Sequence, residues 1–306
     1  IGTGYFGCRD GKGHFNDALF VEKANLKEVK MIEIKLSQGA KPGHGGLLPA
    51  EKNTPEIARI RALEPHKTVH SPSAHTAFSN AIELLHFIQK LRNLSNGKPV
   101  GFKICIGKKE EFTEIIEAML NTNILPDFIT IDGAEGGTGA APLEFIDYMG
   151  MALSDALVFA HKSLVDYGLR NEIKILASGK IISAFDIAKS MSLGADACYS
   201  ARGMMFALGC IQALQCDSGK CPVGIATQDK SLYKGLDITD KRVRVANFHK
   251  NTLKAVAEFI GACGFESPDQ ITAETFFRRV NYNTNLNFKD IYFTNPETKS
   301  KTLDKE

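Results

Sequence analysis

Cys210, Cys216 and Cys221, with Pro222 directly after the last, put three thiols within twelve residues of a 306-residue chain. Thiolate sulfur is the soft ligand of iron–sulfur clusters, and three thiolates from one short segment can cap three corners of a cubane, which suits a three-iron cluster. Zinc is the weaker fit. It ordinarily takes four ligands, often from two separated pairs, and the nearest histidines, His161 and His249, lie far off in the chain. A disulfide or small buried side chains are the plain alternative, but three cysteines so close together argue for metal. Cys8, Cys105, Cys198 and Cys263 stand singly among apolar neighbours and read as buried side chains.

Other residues carry charge to places where a ligand could use it. Ser178-Gly179-Lys180 and Ser200-Ala201-Arg202-Gly203 are two loops that each follow an expected strand and open an expected helix, so their free N–H groups suit a phosphate. Lys103 lies inside an apolar strand, either snorkelling from its edge or pointing a cation at the N1/C2=O region of a reduced flavin. Lys35, Lys41 and Arg61 bracket a glycine-rich loop, and cations facing a cavity form a natural dicarboxylate site, with solvated surface charge as the bland alternative. Asp132 and Glu135 are the carboxylates nearest a strand end, and spacing alone makes neither a general acid.

The elements that must hold these residues alternate. Strands are expected over 31–36, 99–106, 127–132, 173–177 and 195–200, and helices over 81–91, 110–120, about 143–167 and 183–193. Thr54 and Pro55 start a short helix that delivers Arg59 and Arg61. Residues 1–8 read as a strand end where backbone approaches a ligand. A helix is expected from Asp240 to about 262, a second from a Ser267-Pro268 cap to Arg279, and a polar, loosely packed tail over 281–306. Strands separated by helices pair in parallel through right-handed crossovers. Because every strand ends in glycine, lysine or serine, the expectation is a (β/α)8 barrel with its site at many strand ends, rather than a doubly wound sheet with one switch point.

Apolar residues at 43%, charged residues at 24% and a net charge of +2 are ordinary for a globular enzyme and give no sign of nucleic acid or an anionic membrane. No apolar run of about 18 residues spans a bilayer. Seven cysteines without a disulfide framework fit a reduced cytosol. The chain opens on Ile1-Gly2-Thr3-Gly4, which reads as a fragment starting inside the fold.

Gly39 to Gly43 with Gly45-Gly46 and Arg61, Gly136-Gly-Thr-Gly-Ala140, the cysteine segment and Pro222-Val-Gly-Ile-Ala-Thr-Gln228 resemble the FMN-binding synthase domain of glutamate synthase over residues 1–265, in its stand-alone form without a glutaminase domain. The resemblance implies a (β/α)8 barrel over 1–265 and a helical segment with a polar tail over 266–306. It implies FMN, a [3Fe-4S] cluster on Cys210, Cys216 and Cys221, and reduction of 2-iminoglutarate, made from 2-oxoglutarate and ammonia, to L-glutamate. By the same resemblance Lys103 contacts the flavin, Gly179, Lys180, Ala201 and Arg202 surround its phosphate, Lys41 and Arg61 grip 2-oxoglutarate, and electrons come from ferredoxin or a pyridine-nucleotide-dependent reductase. Three positions depart from the family pattern: Leu47 replaces a glutamine, His44 an acidic residue, and Ser178-Gly179-Lys180 a DGG loop. The first two barrel strands of the family have no counterpart, so the sheet is expected to stay open. The alternatives are an FMN enzyme acting on another small keto or hydroxy acid, and a non-catalytic electron-transfer module.

Overall fold

The computed structural model describes residues 1–41, 43–137, 139, 141, 142 and 144–294, so the end of the expected tail and the residues at 42, 138, 140 and 143 lie outside the described residues. In chain order the elements are α1 (Asp17–Ala24), β1 (Ile32–Lys35), β2 (Leu47–Leu48), α2 (Pro55–Arg61), β3 (Val69–His70), α3 (Ala81–Leu94), β4 (Val100–Ile104), α4 (Lys109–Thr122) and β5 (Phe128–Asp132). After these come α5 (Leu153–Asp166), β6 (Lys174–Ser178), α6 (Ala184–Ser192), β7 (Ala197–Tyr199), α7 (Ala201–Leu208), α8 (Lys230–Tyr233), α9 (Ile238–Ala262), β8 (Phe277–Arg279) and β9 (Asn285–Asn287).

Among the described residues, β1, β4, β5, β6 and β7 form one parallel sheet whose order in space follows the chain. A doubly wound sheet would reverse that order at a switch point. The sheet is also strongly curved. If it were flat, β1 and β7 would lie four strand spacings apart, roughly 19 Å. Yet the Tyr199 hydroxyl on β7 donates to Glu33 Oε2 on β1 at 3.4 Å, and the Thr130 hydroxyl on β5 donates to the same oxygen at 2.6 Å. Sequential order, parallel pairing and closing curvature are the winding of a (β/α)8 barrel, present as an open five-strand arc.

The two faces of the arc differ as the alternation of strand side chains requires. Ile34, Val100, Phe102, Ile129 and Ile175 are fully buried, and they share the core with the apolar stripes of α3, α4 and α5. The concave face takes the intervening residues: Phe128, Leu176 and Ala197 are apolar, while Glu33, Lys35, Lys103, Thr130, Asp132, Ser178 and Tyr199 make the rest of it polar, with Lys35, Lys103, Asp132 and Ser178 toward the strand ends. Gly101, opposite Glu33, adds no side chain to that face, and the ring of Phe128 takes the space, since a Cβ on Gly101 would lie 2.6 Å from it.

Most expected elements form within a residue or two of their expected ends, and local chemistry explains the differences. The helix expected from about 143 begins at Leu153, because left-handed Asp147 and Gly150, with Pro142, turn the chain through 144–151 first. The expected helix over 267–279 is a correction. The Ser267-Pro268 signal is real and builds a capping box, but the turn ends at Gln270, and Phe277–Arg279 pairs antiparallel with β9. Phe276, Phe277 and Val280 are aromatic or β-branched and favour a strand. Phe288, in the tail expected to be loose, belongs to the main core at 4% exposure. The elements outside the expected set include α1, which Asn16 caps, α8, β9 and the small antiparallel pair of β2 and β3.

Residues 1–8 do not extend as a strand. They turn and are tied down at Tyr5, which is 1% exposed. The Tyr5 hydroxyl accepts the N–H groups of Thr76 and Ala77, each at 3.1 Å, so its own proton goes to His75 Nδ1 at 3.0 Å, and His75 Nε2–H donates to the Lys35 carbonyl at 2.9 Å. Burial, ahead of any other cause, holds His75 below its ordinary value of 6.5. The unfolded chain therefore takes up a proton first as pH falls, and stability is lost on acidification below the ordinary histidine value. The urea midpoint is expected to drop between about pH 7.5 and about pH 5.5, and His75→Gln to flatten that dependence. An unchanged slope would remove His75 from the account.

Candidate active site

The site is built where strands β1, β4, β5, β6 and β7 end. Asp132, the last residue of β5, is 1% exposed, and its Oδ2 accepts the Gly39 N–H at 2.8 Å and pairs with Lys103 Nζ at 3.2 Å. Lys103, whose strand left open an edge or an inward position, lies between β1 and β5 and faces Asp132. Lys35, beside it in register, is held below the usual lysine range first by desolvation and then by Lys103 and Lys41. Lys35 and Lys103 thus lie side by side at the strand ends, Lys35 feels the charge of Lys41, and the buried Asp132 carboxylate pairs with Lys103. Arg61, at the end of α2, lies against the ring of Phe6 at 5.0 Å.

Two glycine-rich loops close over Asp132. A Cβ on Gly39 would sit 1.8 Å from the Gly133 carbonyl oxygen, and Ala40 N–H donates to the Ala134 carbonyl at 2.9 Å. Only glycine permits that approach. At the far end of the second loop a Cβ on Gly139 would meet Cys216 Sγ at 2.9 Å, so the loop that begins over Asp132 ends on the cysteine segment. Glu135 has a structural role: both its carboxylate oxygens accept the Leu153 N–H at the start of α5.

The two expected phosphate loops meet, since Ser200 Oγ donates to the Ile181 carbonyl at 2.9 Å. They are not equivalent. The start of α6 is occupied by its own capping box, in which Asp186 Oδ2 accepts the Ile182 and Ser183 N–H groups. At α7, Ser200 makes no side-chain cap, Ala201 is exposed and Arg202 is half-buried. Gly179, at φ +133°, packs on the Gly133 N–H. Lys180 is an exposed residue paired with both oxygens of Asp147 at 2.8 and 3.0 Å.

Cys210, Cys216 and Cys221 are free and line one small cavity, together with Arg202, Leu214 and Gly139. Burial works against the Cys221 thiolate, but the N–H groups of Ala226, Val223, Ile225 and Gly224 outweigh it and hold the thiol below its ordinary value. Burial, then Cys210 and Cys221, push Cys216 up. Among the described residues no three His, Cys, Asp or Glu side chains are already arranged to hold a metal ion. The donor set itself fits a thiolate-bound cluster: three reduced sulfurs, apolar walls and N–H donors to sulfur. Cys105 and Cys198, by contrast, are pushed up to about 12 by burial and behave as core side chains. Cys263, expected to be buried, is exposed. No helix among the described residues is long and apolar enough to cross a membrane.

The sequence compares with known proteins over most of its length. It is 42% identical over 274 residues to a glutamate synthase large subunit-like protein of Bacillus subtilis, covering 90% of this chain and 52% of that protein. It is 38% identical over 252 residues to an archaeal glutamate synthase [NADPH] of Methanocaldococcus jannaschii, covering 82% and 49%, and 33% identical over 279 residues to an archaeal-type glutamate synthase [NADPH] of Thermotoga neapolitana, covering 88% and 54%. The chain therefore spans about half the length of these relatives. The family described as the conserved region in glutamate synthase matches residues 1–266, and the chain belongs to that family.

Proposed function

We propose that the chain forms the FMN and iron–sulfur part of a glutamate synthase that reduces 2-iminoglutarate, formed from 2-oxoglutarate and ammonia, to L-glutamate. The observation that carries this reading is the loop of Gly133 to Gly139, which covers the Lys103–Asp132 pair at one end and touches Cys216 at the other. It joins a cationic strand-end site to a sulfur-lined cavity, the arrangement a two-cofactor redox path needs. FMN supplies hydride transfer, and a [3Fe-4S] cluster on Cys210, Cys216 and Cys221 supplies single electrons.

The chain's own residues divide the remaining work. Lys103 presents positive charge to the flavin ring, and the open start of α7 with Arg202 receives the phosphate, alongside Gly179, Lys180 and Ala201. Lys41 and Arg61 bind the two carboxylates of the keto acid, orienting C2 for hydride delivery. The name NADPH in two relatives supports a pyridine-nucleotide reductant, and ferredoxin is the other candidate donor.

The phosphate assignment is tested by comparing FMN with riboflavin. A charge-assisted contact contributes about 1.5–3 kcal/mol, so riboflavin is expected to bind about 10- to 100-fold more weakly. Arg202→Ala should weaken FMN and leave riboflavin unchanged. Equal affinity for the two flavins in the unmodified protein would refute the site.

A further inference from the structure

Asp132 is costly to keep. It is a carboxylate 1% exposed, and while Oδ2 has two partners, Oδ1 is buried with no hydrogen-bond partner among the described residues. A Cβ on Gly136 would lie 2.4 Å from that oxygen, so the loop backbone closes directly on it. A buried ion pair is often no more stabilising than apolar side chains of the same volume, and an unpaired buried acceptor adds a penalty. Fold stability therefore gives no reason for a carboxylate here, while its two partners do. One is the lysine of the flavin face, and the other is the backbone of the loop that carries Lys41.

We propose that Asp132 is a positioning residue whose carboxylate fixes Lys103 on the concave face and latches the Lys41 loop over the strand ends, so that one group sets both the charge offered to the flavin and the closure of the substrate loop. The charge half rests on the FMN reading above. The latch half does not. Removing the negative charge leaves Lys103 uncompensated, which strengthens its attraction for negative charge on the flavin ring. Removing the acceptor frees the Gly39 N–H and lets the loop lift from Gly133.

Two measurements separate the halves. Sulfite adds its electron pair to N5 of oxidised flavin and leaves negative charge at N1 and C2=O, so its affinity reads the local cation. In the FMN-loaded full protein, Asp132→Asn keeps size and an acceptor oxygen, and is expected to bind sulfite about tenfold more tightly. Lys103→Met should bind it more weakly, and the double variant should match Lys103→Met, because the two side chains act through one contact. A purely structural Asp132 would lower FMN occupancy without moving sulfite affinity. If Asp132→Asn leaves sulfite binding unchanged, or if Lys103→Met does, the charge role is overturned.

The latch is read without flavin, by amide hydrogen exchange at Gly39 and Ala40 in folded protein. Asp132→Ala is expected to speed exchange there by about tenfold or more, while amides of β4 and β6 keep their protection. Unchanged protection at Gly39 overturns the latch. A protein that binds no FMN but shows the exchange change would refute the flavin reading and leave the latch standing.

Discussion

Serine in place of Cys210, Cys216 and Cys221 together is expected to give a folded protein that binds FMN and takes up no iron or sulfide on anaerobic reconstitution. The three thiols already line one cavity, so a cluster would draw on sulfurs that the fold brings together. Hydroxyl oxygen is a hard, poorly ionised ligand that does not replace thiolate on a cluster. Cys210 and Cys216 are only half-buried, so serine there leaves few unmet polar demands, and Cys221 faces four N–H groups that a hydroxyl oxygen can accept. The brown colour and the iron content should vanish together, with far-ultraviolet circular dichroism unchanged. Iron near zero in the unmodified protein after reconstitution would sink the cluster, and single variants should each lose most of it, since three ligands leave none to spare.

The features legible in the sequence were those that a single segment determines. The apolar strands and helix stripes repeat with their own periods, so the α/β order and the parallel winding come from them. The cysteine segment and the glycine loops are local too. Other features depend on partners from distant segments. Asp132 looked like any strand-end carboxylate, because its importance comes from Lys103 on a neighbouring strand and from the Gly39 N–H 93 residues away. Lys180 read as a phosphate residue by position, and its ion pair with Asp147, from a stretch expected to be helical, could be read from neither segment alone. Ser267 and Pro268 did signal a helix start, but the fate of residues 277–279 is decided by pairing with β9, which no local rule supplies. Curvature is the same kind of quantity. It shows only once Tyr199 and Glu33 are seen to meet across the arc.

The substrate gives the second large effect. After reduction of the FMN-loaded full protein with dithionite, 2-oxoglutarate with ammonium is expected to reoxidise the flavin with formation of glutamate, and Arg61→Ala to lower kcat/KM by about 10- to 100-fold, the value of one charge-assisted contact. The Arg61 guanidinium lies 5.0 Å from the centre of the Phe6 ring, a cation–π contact that uses the face of the ring and none of the arginine's hydrogen-bond donors. Leu47 cannot donate or accept, but the amide it lacks is worth about 1 kcal/mol, less than either cation contributes. It is 55% exposed in β2, opposite His70, so Leu47→Gln should cost little in folding. That variant is expected to improve discrimination for 2-oxoglutarate over a monocarboxylic keto acid by about fivefold. If 2-oxoglutarate leaves the reduced flavin unchanged while another keto acid reoxidises it, the chain is an FMN oxidoreductase of different specificity. If Arg61→Ala has no effect while glutamate still forms, the dicarboxylate grip lies with other cations, and Lys41 with the neighbouring Lys35 and Lys103 is the set to test next.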